Sequence, residues 1–367
     1  MKDIPKSKLR LYIAFTAVFL IGMPLLNIAG VIGDPTLNLW GRYFAFAIAA
    51  LGVDLIWGYT GLLSLCQAFF FCLGGYAIGM HMLLMTGAEG KYGAAIPDFM
   101  VWNQVKELPA FWEPFHNPIL TLILALAIPA AFAGIFGFLV FRSRVKGVYF
   151  AIITQALALA AWLVFNRNEV MLGGTNGLTD FKRIFGFPLS GEDAAANAAT
   201  KRGLYVVTVL VLMGCYAACS WITKSKLGKV LIAIRDSEQR LRFTGYSITS
   251  YKVFAFVAGA VLAAIGGVLY VPQTGIITPS RMDVVASIVM VVWVAVGGRG
   301  SMIGPIIGAL LVNLCYSIFT SSVPNLWPFF LGALFISVVL FFPDGVVGLI
   351  QRIRRKFTTI EASPTHE

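Results

Sequence analysis

Apolar runs of about 20 residues recur along this chain, close to the length an α-helix needs to cross a bilayer core. Read as helices, they predict about ten spans, near residues 11–33, 39–58, 62–86, 118–141, 147–166, 203–223, 253–271, 285–297, 301–320 and 328–349. The runs are continuously apolar. A membrane β-barrel would show shorter, alternating, half-polar strands. The pattern therefore specifies an all-α polytopic membrane protein. Residues 1–37 read as an N-terminal cytoplasmic segment with a retained first span, 38–349 as the transmembrane domain and 350–367 as a cytoplasmic tail.

Composition agrees with the pattern. The 367 residues are 58% hydrophobic, with a mean hydropathy of +0.82, well beyond a water-soluble domain. The net charge of +11 does not point to nucleic acid, because the basic residues gather at the ends of the apolar runs. With the N-terminus threaded inside, 19 of the 28 Lys and Arg fall on the inner side. The positive-inside rule then predicts both termini in the cytoplasm, with anionic lipid as a neighbour.

Small residues recur at helical spacing in several runs, as in Gly75/Gly79, Ala263/Gly267 and Gly300/Gly304/Gly308. Such faces let helices approach closely in lipid. Two interruptions, "GYTG" at Gly58–Gly61 and "GGRG" at Gly297–Gly300, predict matching breaks in an inverted internal repeat.

Catalytic material is scarce. There is no phosphate-binding loop, no HExxH and no nucleophile elbow. The five cysteines lie dispersed in apolar runs and the three histidines are scattered, so neither a metal site nor a cofactor is expected. The polar residues inside the spans include Asp54, Gln67, Thr154, Gln155 and Asn313. They are the candidates for lining a solute pathway, with helix–helix hydrogen bonding as the plainer alternative.

One polar stretch stands out. "KSKLGKVLIAIRDSEQRLRFTGYS" carries six basic and two acidic side chains between Lys224 and Arg242. As a helix it gathers Val230, Ile234, Ser237 and Leu241 on one face. Arg235, Asp236, Glu238, Gln239, Arg240 and Arg242 occupy the rest. Asp236–Arg240 and Glu238–Arg242 are acid-before-base pairs at i, i+4, and Gly245 supplies a C-terminal stop. Basic charge alone would satisfy a lipid surface. Interleaved acids and a defined stop predict a docking helix for a cytoplasmic partner.

The motifs "GYTGLLSLCQAFFFCLGGYAIG", "RVKGVYFAIITQALALA", "GGTNGLTDF", "KLGKVLIAIRDSEQRLRFTGYSITSYKVFAFVAGAVLAAIGGVLY" and "VGGRGSMIGPIIGALL" together resemble the permease subunits of ABC importers of the branched-chain amino acid and urea type. The segments "PDFMVWNQVKELPAFWEPFHNP" and "SRVKGVYFAIITQALALA" look most like the urea branch. The resemblance implies a multi-pass subunit of a bacterial plasma-membrane importer that translocates urea or short amides. It also implies a homologous permease subunit, two cytoplasmic ATPase chains and an extracytoplasmic solute-binding protein as partners. ATP and Mg would bind to the ATPase chains and not to this one. Residues 229–245 match the segment that couples to the ATPase. Where the family motif commonly has Gly-His, this chain has Cys66-Gln67, so any role there falls to a side chain that does not titrate. A branched-chain amino acid permease is the alternative within the same architecture. A stand-alone secondary transporter or channel is the alternative outside it.

Overall fold

A computed structural model describes residues 17–349, apart from 95, 106, 146, 323–325 and 342–344. The first 16 residues and the predicted tail lie outside the described residues. The chain is predominantly helical. Its principal helices are α1 (Ala17–Ile28), α2 (Asp34–Thr60), α3 (Gln67–Thr86), α4 (Pro118–Arg142), α5 (Val148–Phe165), α6 (Ala194–Lys224), α7 (Lys226–Arg242), α8 (Ile248–Thr274), α9 (Val284–Gly297), α10 (Gly304–Ser322) and α11 (Trp327–Phe341). Among the described residues, seven of these are long and apolar enough to cross a membrane: α2, α3, α4, α5, α6, α8 and α10. The remaining predicted spans coincide with the shorter apolar helices α1, α9 and α11.

The centre is built from α2, α3 and α8, which pack on one another and carry most of the fully buried side chains. Outer helices α4, α5 and α6 keep large apolar side chains such as Ile123, Ile135, Ile152, Leu163 and Leu210 exposed. An apolar side chain exposed on a membrane helix faces lipid or another subunit.

Close approach at the centre depends on small residues. A Cβ on Gly267 would collide with the Phe71 carbonyl of α3, and one on Gly308 with the Trp293 carbonyl of α9. The predicted small-residue faces at Ala263/Gly267 and Gly304/Gly308 are therefore helix contacts. Gly300 is not part of such a face. The α10 helix starts only at Gly304, and Gly300 lies in the preceding turn with φ +77°. Gly267→Val is expected to drive α3 from α8 and abolish the monodisperse folded species on size exclusion in detergent. Gly203→Val, at a position with open space around it, should leave that peak intact.

Two helices interrupt in the same way. Both α2 and α8 have 27 residues, and each ends in a left-handed glycine, Gly61 (φ +74°) and Gly275 (φ +76°). Only glycine adopts that conformation without steric cost. A stretch outside any α-helix follows each, and α3 and α9 then begin. Gly52 packs on Gly259, and Gly267 on Phe71. At 1.5 Å rise per residue, the start of α3 is therefore level with roughly the middle of α8 and not with its base. The first turns of α3 and α9 meet there, where the Ala68 N–H donates to Ser287 Oγ at 3.2 Å. The matching interruptions are thus at Gly61 and Gly275. The sequence pairing of "GYTG" with "GGRG" picked a partner that packs against α2 but does not repeat it.

Polar contacts sort the connections into two ends. At one end lie Arg142, Arg144, Glu238 and Arg242 around a common cavity, together with the ends of α2 and α9. At the far end, Leu178–Thr179 pairs antiparallel with Ile276–Ile277. Trp112 Nε1 there donates to the Met171 carbonyl at 3.2 Å. Arg183 bonds Glu89 across the same end, and that hydrogen bond holds the Glu89 carboxyl below its ordinary range.

Candidate functional site

The basic end is organised by α7. A tight turn at Ser225 leads from α6 into α7, and Leu231 and Ile234 bury against the bundle. Of the predicted apolar face, Ile234 is buried, while Val230, Ser237 and Leu241 are half-buried. Arg235, Asp236, Gln239, Arg240 and Arg242 are exposed. The helix is broken at Ser237 (φ −161°, ψ 88°). The kink corrects one of the two predicted ion pairs. Glu238–Arg242 forms at 2.9 Å, within the segment after the break. Asp236 and Arg240 lie on opposite sides of it, so their i, i+4 spacing no longer places them on one face. Asp236 instead accepts from Arg235 Nε at 3.1 Å, and Arg240 Nε donates to Ser237 Oγ at 3.0 Å. Gly245 adopts φ +82°, as the predicted stop requires.

Two side chains of α7 reach into the bundle. Arg235 Nη1 donates to the Gly58 carbonyl at the end of α2, at 2.7 Å. Glu238 accepts from Lys252 Nζ of α8 at 2.9 Å. Glu238 therefore holds the fold together, and is not simply presented to a partner. Just after the helix, Phe243 is 93% exposed and Tyr246 is half exposed. Sequence reading assigned neither a role. The available signal was an aromatic residue in a stretch whose apolar face was already complete at Leu241.

The candidate pathway residues separate into groups. Asp54 is fully buried, and its Oδ1 accepts from the Gly300 N–H at 2.7 Å, while Oδ2 has no partner among the described residues. It is a helix-end bond between α2 and the turn before α10. Gln67 and Thr154 share the interruption between α2 and α3. Thr154 Oγ1 accepts from the Leu65 N–H at 3.0 Å, and Gln67 Nε2 donates to Ser64 Oγ at 3.2 Å. Gln67 Oε1 is buried without a partner among the described residues. Asn313 bonds its own helix, donating to the Ala309 carbonyl at 2.7 Å. Gln155 is exposed on α5 and belongs to neither group.

Arg281 lies in the connection between α8 and α9. The turn that carries it, Pro279–Met282, packs against α3 with Pro279 and Met282 buried. The Arg281 guanidinium lies over the Tyr270 ring at 5.7 Å. Its side of the turn is exposed. No pattern in the sequence marks a loop that folds back along a helix, and this kind of cation is therefore hard to find beforehand.

Ser64, Gln67, Thr154 and Ser287 thus gather around the meeting of two helix starts, each buried within the chain. Among the described residues there is no group of three or more His, Cys, Asp or Glu able to hold a metal ion. The polar groups of this arrangement bond to one another and to nearby backbone.

Residues 36–339 match the family model described as "Branched-chain amino acid transport system / permease component". The high-affinity branched-chain amino acid transport system permease protein LivM of Salmonella typhimurium is 24% identical, over 83% of this chain and 67% of its own. BraD of Pseudomonas aeruginosa, named for the same transport system, is 24% identical over 83% of this chain and 91% of its own. The ribose import permease protein RbsC of Escherichia coli is 23% identical over 54% of this chain and 60% of its own. No solved structure matches the chain. The family match covers most of the helical bundle, and the chain belongs to the permease-component family of branched-chain amino acid transport systems.

Proposed function

We propose that this chain is the membrane permease subunit of an ATP-driven ABC importer that moves urea or short amides. A homologous permease would complete the pathway. Two cytoplasmic ATPase chains would bind ATP and Mg, and an extracytoplasmic binding protein would deliver the solute. The observation that carries the reading is α7: an amphipathic, ion-paired helix at the basic end, gripping α2 and α8 and turning charged residues outward. A channel or secondary transporter has no use for such a surface. The basic end is then cytoplasmic by the positive-inside rule, with both termini on that side and ten spans in all. The paired α2–turn–α3 and α8–turn–α9 units support an inverted repeat. Half-helix starts near the midplane are where transporters of that design bind solute.

The polar side chains gathered at the two helix starts, Ser64, Gln67, Thr154 and Ser287, are neutral and buried, a setting that favours an uncharged solute over a charged one. The family spans relatives named for solutes as unlike as amino acids and ribose, so the lining and not the fold selects the cargo. Arg281 favours a second reading. Its guanidinium suits the carboxylate of a branched-chain amino acid at least as well as an amide carbonyl. Competition in proteoliposomes of the complete complex decides between them. Saturable, ATP-dependent urea uptake that excess leucine leaves unchanged is expected, and leucine uptake that outcompetes urea would reject the urea assignment.

A further inference from the structure

We propose that Arg235 is the positioning residue that delivers movement of the docking helix to the pathway, by tying α7 to the ends of α2 and α10. This rests on the reading of α7 as the ATPase-docking helix and assigns its inward connection. The carbonyls of the last turn of a helix have no partner within it. Gly58 carries one of these at the end of α2, and Arg235 Nη1 satisfies it at 2.7 Å. A cation at a helix C-terminus also complements the helix dipole. Asp236 holds the same guanidinium through Nε at 3.1 Å, so the fork is aimed from both sides.

One turn back along α2, the buried Asp54 accepts from the Gly300 N–H at 2.7 Å. The three segments converge because Gly58 has no side chain. A Cβ there would press on the Asp54 carboxylate and on the Gly300 nitrogen. Arg299, beside Gly300, stacks its guanidinium over the Trp57 ring at 5.1 Å. The path from α7 through Gly58 and Asp54 to the turn before α10 therefore runs over hydrogen bonds that are short, directional and partly or wholly buried. Glu238 makes the other inward contact, to Lys252 in the first turns of α8. In this way α7 holds the end of one interrupted long helix and the beginning of the other. Lys252 lies at the end of α8 opposite Gly275, so the interruption that α7 touches directly is the one at Gly61.

The test uses the full complex with Arg235→Ala, Arg235→Lys, Asp54→Ala and the double variant Arg235→Ala/Asp54→Ala. Three quantities are read: co-purification of the ATPase chains, ATP hydrolysis and solute uptake. Expected is normal co-purification, hydrolysis within about twofold of the parent, and uptake per ATP lowered roughly tenfold or more, the scale of a lost charge-assisted bond. Lysine keeps the charge but cannot bond Gly58 and Asp236 together, so it should uncouple nearly as far as alanine. The double variant should be no worse than Asp54→Ala, because both changes cut one connection. If alanine at position 235 lowers membrane abundance, the lysine variant decides. Uptake that falls only in step with hydrolysis, or unchanged uptake per ATP, overturns the assignment. Loss of the ATPase chains from Arg235→Lys also overturns it, since Arg235 would then be a docking contact. If the parent complex itself shows no ATP-dependent uptake, the importer reading has failed, a result separate from any of these.

Discussion

Phe243→Ala is expected to release the ATPase chains from the complex while leaving the permease itself at normal abundance. The ring stands 93% exposed directly after the last residue of α7. Asp236, Gln239 and Arg240 are exposed on the helix before it, and Tyr246 follows. Exposure to this degree costs nothing in the folded chain, so the side chain adds little to its stability. An aromatic side chain inside a polar rim is the usual form of an interface anchor, and truncating one costs about 2 kcal/mol or more, on the order of 30-fold in affinity. Titration of the purified permease with the ATPase chains should show that weakening. Unchanged affinity with unchanged transport would move the docking surface away from this end of α7.

Glu238→Lys is expected to be more destructive, and for a different reason. Its carboxylate binds Arg242 and Lys252, each at 2.9 Å, and Lys252 is only 5% exposed. Arg142 and Arg144 line the same cavity of about 350 Å³, where Glu238 is the only carboxylate among the described residues. Reversal leaves a buried ammonium unpaired among cations. Breaking a buried pair in this way costs about 3–5 kcal/mol, a large part of the stability of a typical domain. The folded yield in the membrane should collapse. Pairing the change with Lys252→Met should restore much of it, because the buried charge is then gone. Normal yield of Glu238→Lys alone would show that the contact to Lys252 is not structural. Sequence spacing paired Glu238 with Arg242 alone and could not show its second partner, Lys252 in the first turns of the next helix.

Much of the architecture was legible because a bilayer demands long apolar helices, and their lengths can be read directly. The charged helix α7, its buried Ile234 and the left-handed Gly245 followed from periodicity and glycine chemistry. The break at Ser237 did not, because nothing local forbids a continuous helix there and tertiary contacts at Arg235 and Glu238 decide the path. Asp54 stood among the pathway candidates, with hydrogen bonding between segments as the alternative, and its partner Gly300 lies 246 positions away in sequence. The interruption at Gly275 escaped notice. "QTGIITPSRMD" reads as an ordinary outer connection, and only its packing along α3 shows it folding back to start α9 at depth. Thr154 and Gln67 were both candidates from the sequence, and they turned out to share one interruption. Gln155 and Asn313 were drawn from the same list of polar span residues and stand apart from it. Polarity marks such residues, and only packing says which of them meet.

The most direct test of the importer assignment is solute accumulation in proteoliposomes that hold this chain, its partner permease, the ATPase chains and the binding protein. ATP should drive labelled urea above its equilibrium level, and a non-hydrolysable ATP analogue should not. Vesicles holding the permease chains alone should stay impermeable to urea. Urea flux through the permease chains alone, at the rate of the full complex and indifferent to ATP, would contradict the importer reading and identify a channel or carrier.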